Sequence, residues 1–196
     1  RTVKVRDARD GRLLRSLEGH TDWVNAVALS ADGRTIVSGS SDRTVKVWDA
    51  RDGRLLRSLE GHTDWVFAVA LSPDGRTIVS GSKDRTVKVW DARDGRLLRS
   101  LAGHTDGVNA VALSPDGRTI VSGSFDRTVK VWDAGDGRLL RSLAGHTDWV
   151  TAVALSADGR TIVSGSFDRT VKVWDARDGR LLRSLAGHTD GVNAVA

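Results

Sequence analysis

The chain has 196 residues, 39% of them hydrophobic and 28% charged, with a formal net charge of +5 and neither cysteine nor methionine. That balance is too polar for a membrane span and too apolar for a disordered chain, and the missing cysteines exclude disulfides and thiolate metal sites. Basic residues alternate with acidic ones, as in "DARDGRLLRSLEGH", which favours solvated strand faces over a nucleic-acid groove.

Residues 1–18 read as two strands, "TVKV" and "RLLRSLE", before the first complete unit begins. That unit holds four strand-like segments: "VNAVALS" (24–30), "TIVSGS" (35–40), "TVKVWDA" (44–50) and "RLLRSLE" (54–60). Alternation from Thr44 through Val45, Lys46 and Val47 to Trp48, with its β-branched residues, predicts strands and not helices. "ADGR" (31–34) and "RDGR" (51–54) each carry Asp-Gly, which predicts type I′ hairpins with both central residues at positive φ. Four antiparallel strands per unit follow. The "GH" pairs stand 42 residues apart, so the unit repeats over about 20–60, 62–102, 104–144 and 146–186. A last partial unit, 188–196, adds one strand and brings the expected number to nineteen. No linker or composition shift interrupts the series, which makes residues 1–196 one all-β domain with partial units at 1–18 and 188–196. The absence of methionine implies that other residues precede Arg1.

Each complete unit carries a His, a Ser eighteen residues on and an Asp twenty-two on, as in His20, Ser38 and Asp42. A catalytic triad needs an exposed Ser beside an oxyanion hole, and one good site in place of four near-identical ones. The histidines fall one per unit, too far apart to share a metal. No glycine cluster has the strand-to-helix setting of a phosphate loop. Neither a cofactor nor a metal is expected.

A 42-residue unit with "GH" near its start and "VWD" near its end resembles the WD-repeat family. The resemblance implies a β-propeller of four-stranded antiparallel blades, here four complete blades with partial blades at both ends. It also implies that the histidine, a second-strand serine, an aspartate before the third strand and the "WD" tryptophan form a buried hydrogen-bonded tetrad. Carried over, the tetrads are His20, Ser38, Asp42, Trp48; His62, Ser80, Asp84, Trp90; His104, Ser122, Asp126, Trp132; and His146, Ser164, Asp168, Trp174. Indole only donates, a hydroxyl accepts and passes on, imidazole does both and a carboxylate ends the chain. At the ends the pattern breaks: Arg6 holds the place of the tetrad Trp, and no Ser, Asp or Trp follows His188.

Between repeats the most radical changes fall in three columns: Trp23, Trp65, Gly107, Trp149, Gly191; Asn25, Phe67, Asn109, Thr151, Asn193; and Ser41, Lys83, Phe125, Phe167. In a propeller the loops bearing these columns emerge on one side, the family's top face. Near-identical repeats with these variable columns resemble the sensor propellers of nucleotide-binding immune-type receptors. The expected function is a non-enzymatic scaffold whose top face recognises a protein or other macromolecule through those non-glycine positions. The strongest anchor is expected at Trp65, Phe67 and Lys83, flanked by Trp23, with Phe125, Trp149 and Phe167 farther round. The alternative is a structural or designed repeat scaffold that assembles into closed propellers without a selected ligand. Four units and 28 further residues are short of a ring, so further repeats or other copies of the chain are expected partners, with no membrane partner and a cytoplasmic location.

Overall fold

The computed structural model describes all 196 residues, and every regular element is a β-strand. An N-terminal pair, β1 (Thr2–Arg6) and β2 (Leu13–Glu18), precedes blade one, which is β3 (Val24–Leu29), β4 (Thr35–Ser40), β5 (Val45–Asp49) and β6 (Leu55–Leu59). Blade two is β7 (Val66–Leu71), β8 (Thr77–Ser82), β9 (Thr86–Asp91) and β10 (Leu97–Ala102); blade three is β11 (Val108–Leu113), β12 (Thr119–Ser124), β13 (Val129–Asp133) and β14 (Leu139–Leu143). Blade four is β15 (Val150–Leu155), β16 (Thr161–Ser166), β17 (Thr170–Asp175) and β18 (Leu181–Ala186). In each blade the strands pair antiparallel in chain order. With no helix present, none is long and apolar enough to cross a membrane.

The blades stack face to face, and the second and third strands are buried on both sides. Val37, Val45, Val47 and Leu59 of blade one pack against Val66, Ile78 and Trp90 of blade two. The same set recurs between blades two and three, and again between three and four. Glycine in the second strand permits the closeness: a Cβ on Gly81 would lie 2.7 Å from Val108 Cγ1 and 3.0 Å from Val111 Cγ1. First strands of successive blades run side by side, and Ala68, Ala110, Ala152 and Ala194 line one shared central cleft.

Two expectations need correction. The hairpins are not type I′, since no aspartate there has positive φ; only Gly33 (69°) and Gly53 (79°) do. In the first hairpin five residues, 30–34, join the strands, a length usually built around a type I turn, and Gly33 supplies the single left-handed residue. Gly33 N–H donates to Ser30 O at 2.9 Å, while Asp32 Oδ1 accepts the Ser30 hydroxyl at 2.6 Å. The expected nineteenth strand is also absent, leaving eighteen. Residues 191–196 keep a first-strand position, with Val192 buried and its N–H bonded to Ser166 O at 2.9 Å. A first strand is laddered only by its own second strand, and this segment has none beside it.

Blade edges at the two ends are uncovered. Val27 and Leu29 are 59% and 61% exposed and line a groove with Val3, Val5 and Ile36. Leu185 of blade four is 48% exposed, whereas its counterpart Leu143 is 4% exposed beneath blade four.

Candidate functional site

Each blade brings its His, Ser, Asp and Trp together. In blade one Trp48 Nε1–H donates to Ser38 Oγ at 2.9 Å, and His20 Nε2 lies 2.7 Å from the same oxygen. His20 Nδ1 lies 2.7 Å from Asp42 Oδ2. Since the carboxylate can only accept, the proton sits on Nδ1, and Nε2 accepts the Ser38 hydroxyl proton. The other three blades repeat these distances to within 0.1 Å. All four serines are 0% exposed. Each is hydrogen-bonded on both sides and closed to a substrate, so this geometry braces the blade and does not present a nucleophile.

The aspartate is the junction of two top loops. Asp42 Oδ2 also accepts Thr21 N–H at 3.0 Å, and its Oδ1 accepts Thr44 N–H at 3.0 Å and the Thr44 hydroxyl at 2.6 Å. Thr44, with Thr86, Thr128 and Thr170, is thus a fifth member that sequence reasoning missed. The unvarying "DRT" after each second strand was its signal. Burial opposes ionisation of Asp42, but the bonds from Thr44, His20 and Thr21 outweigh it and hold the carboxyl at about 2; Asp168 is likewise held at about 2. Asp84 and Asp126 are lowered for the same reasons. Burial lowers His20 and His146 below the usual histidine value, outweighing the aspartate that favours the charged ring.

The loops carrying the variable columns join on one face. Ser41 N–H donates to Trp23 O at 2.8 Å, Lys83 N–H to Trp65 O at 2.8 Å, Phe125 N–H to Gly107 O at 2.9 Å and Phe167 N–H to Trp149 O at 2.9 Å. Two variable columns therefore alternate round the top, in the order Trp23, Ser41, Trp65, Lys83, Gly107, Phe125, Trp149, Phe167, Gly191. Five rings run together across three blades: Trp65 to Phe67 at 6.3 Å, Phe67 to Phe125 at 5.6 Å, Phe125 to Trp149 at 4.8 Å and Trp149 to Phe167 at 5.6 Å. Glycine at 107 leaves room for this, since a Cβ there would lie 3.1 Å from the Phe125 ring.

Several expected face residues do other work. Ser41 is buried, and its hydroxyl accepts from Asn25 Nδ2 at 3.0 Å. Asn25 sits where β3 slips register against β4, and that irregularity aims its side chain at the next blade. Its Nδ2 donates to Val66 O at 2.9 Å; Asn109 Nδ2 donates to Thr151 O at 3.4 Å, and Thr151 Oγ1 donates to Val192 O. These three side chains stitch neighbouring first strands together and are not free for a ligand. Phe67 makes no such bond and joins the ring stripe instead. Trp23 is 73% exposed and makes no ring contact, so it stands apart from the stripe that it was expected to flank. Asn193 lies exposed on the unladdered tail.

The family described as WD domain, G-beta repeat, matches residues 11–49, 53–91, 95–133 and 137–175. Each match ends on the aspartate after the tetrad Trp, so a sequence repeat starts with the fourth strand of the blade before it. Nuclear distribution protein PAC1 of Coccidioides posadasii (strain C735) is 40% identical over 43 residues, which are 22% of this chain and 9% of that protein.

Proposed function

The chain belongs to the WD40 repeat family, and on that premise we propose that it is a non-enzymatic recognition module whose top face binds a protein partner. One observation carries this reading: the chemically divergent columns of an otherwise near-invariant repeat meet as a continuous, partly exposed stripe of five aromatic rings. Exposed aromatic clusters of this kind are the usual anchors of protein interfaces. The test replaces Trp65 by Gly and Phe67 by Asn, residues that sister blades carry at those columns. Partners captured on the wild-type chain should bind the double variant at least about tenfold more weakly. An unchanged melting temperature and an unchanged affinity would remove the top face from recognition.

The uncovered blade edges belong to the same reading. Val27, Leu29 and Leu185 have identical counterparts that are covered inside the array by a neighbouring blade. Further repeats, or another copy of this chain, supply that cover and complete the ring.

A further inference from the structure

Blade two holds a cation on its own top face. Lys83 Nζ stands 4.5 Å from the centre of the Trp65 ring and 4.0 Å from Asp64 Oδ2, so one ammonium lies between an aromatic face and a carboxylate. Both of those partners come from the loop "GHTDW", and blade four repeats that loop as Asp148 and Trp149. The backbone is also repeated. Asp148 Oδ1 accepts Trp149 N–H at 2.7 Å as Asp64 Oδ1 accepts Trp65 N–H at 2.8 Å. In blade four, however, the place of Lys83 is taken by Phe167.

The consequence is an aspartate without the cation that its blade-two counterpart holds. Asp148 Oδ2 has no hydrogen bond and no ion pair, and its side chain is exposed. The Trp149 indole lies between Phe125 at 4.8 Å and Phe167 at 5.6 Å, and remains 44% exposed. The nearby top loops carry Asp106, Asp148 and Asp190 beside Arg127 and Arg169, and the tetrad beneath pairs Asp168 with His146 close to Lys172, so the carboxylate that a cation would meet is Asp148 itself.

We propose that the corner formed by Trp149 and Asp148, walled by Phe125 and Phe167, binds the ammonium of a lysine side chain on a basic partner segment, in the manner that Trp65 and Asp64 bind Lys83. The ring faces attract the charge and shield it, and the free carboxylate oxygen accepts one of its protons. This rests on the top face being the recognition surface. It adds what that surface selects.

The test titrates the full chain, isotopically labelled, with Nα-acetyl-lysine amide and with its uncharged norleucine isostere, following the Trp149 indole N–H resonance, which is assigned from its loss in Trp149→Gly. The lysine ligand should shift that resonance at millimolar concentrations and the norleucine ligand should not. Asp148→Asn should weaken the lysine ligand by about threefold or more. Phe167→Lys, which places at blade four the ammonium that blade two already tolerates, should fill the corner from within and weaken it by at least about tenfold. An equal shift with norleucine, no shift with lysine, or unchanged affinity in a folded Phe167→Lys variant overturns the proposal. If that happens while the Trp65→Gly, Phe67→Asn pair still loses its captured partner, the ammonium site alone is discarded; if neither responds, the top-face reading falls with it.

Discussion

Ser80 is the joint of its tetrad, and Ser80→Ala tests whether the four groups work as a connected chain. The change deletes one oxygen atom, but that oxygen accepts Trp90 Nε1–H at 2.9 Å and donates to His62 Nε2 at 2.8 Å in a site with no exposure. An indole donor and an imidazole acceptor are then left unpaired away from water, at about 1–3 kcal/mol each, so the loss should be about 2–6 kcal/mol. Trp90→Phe keeps Ser80 bonded to His62 and loses one hydrogen bond and part of a ring, about 2 kcal/mol in all. In the Ser80→Ala background the same Trp90→Phe change removes an orphaned donor, and should cost at least about 1 kcal/mol less than it does alone. Urea unfolding followed by circular dichroism reads all four species, with a constant slope required because repeat arrays can unfold piecemeal. If Ser80→Ala is neutral, or the two changes add, the hydrogen-bond chain contributes nothing as a unit and the reasoning is refuted.

Gly81→Ala should destabilise by about 1–3 kcal/mol although alanine suits a strand better than glycine, because its Cβ would overlap Val108 and Val111; thermal melting checks this, and Val111→Ala should restore part of the loss. Stability should also fall in two acid steps. His20 and His146 have folded values below the 6.5 usual for histidine, so the unfolded chain binds more protons; their contribution is complete above 6.5 and fades as pH drops below it. Asp42 and Asp168, lowered from 3.8 to about 2, contribute fully above 3.8 and lose that contribution as pH falls toward 2. Urea midpoints measured from pH 8 to pH 3 that rise on acidification would contradict both steps. Finally, the chain should associate through its uncovered blade edges with rising concentration, and light scattering that holds at the 21.1 kDa monomer would count against edge completion by copies of itself.

Much of the fold was legible in the sequence because its causes are local. Alternation over "TVKVW" and turn residues at fixed offsets determine where strands start and stop, and the observed β5 lies inside the predicted 44–50. The tetrads were legible through the resemblance to WD repeats, whose donor, relay and acceptor types these residues match. Thr44 was missed because its bond to Asp42 depends on turn geometry and not on residue type alone. The variable columns were read incompletely as chemistry. Ser41, Asn25, Asn109 and Thr151 look like free polar groups in the sequence, yet Ser41 is bonded by Asn25 of its own blade, and the lean of one blade on the next brings backbone carbonyls within reach of the other three. Phe125 and Trp149 meet because the turn of one blade abuts the loop of the next, a contact that neither residue's neighbours in sequence encode. The tail after His188 carries full strand chemistry and still makes no strand, because a ladder needs a partner and propensity does not provide one. The sequence by itself thus determined the blade and its bracing; the angle at which blades stack, set by glycine-to-valine packing between them, decided which side chains face a partner and which are consumed in holding the array together.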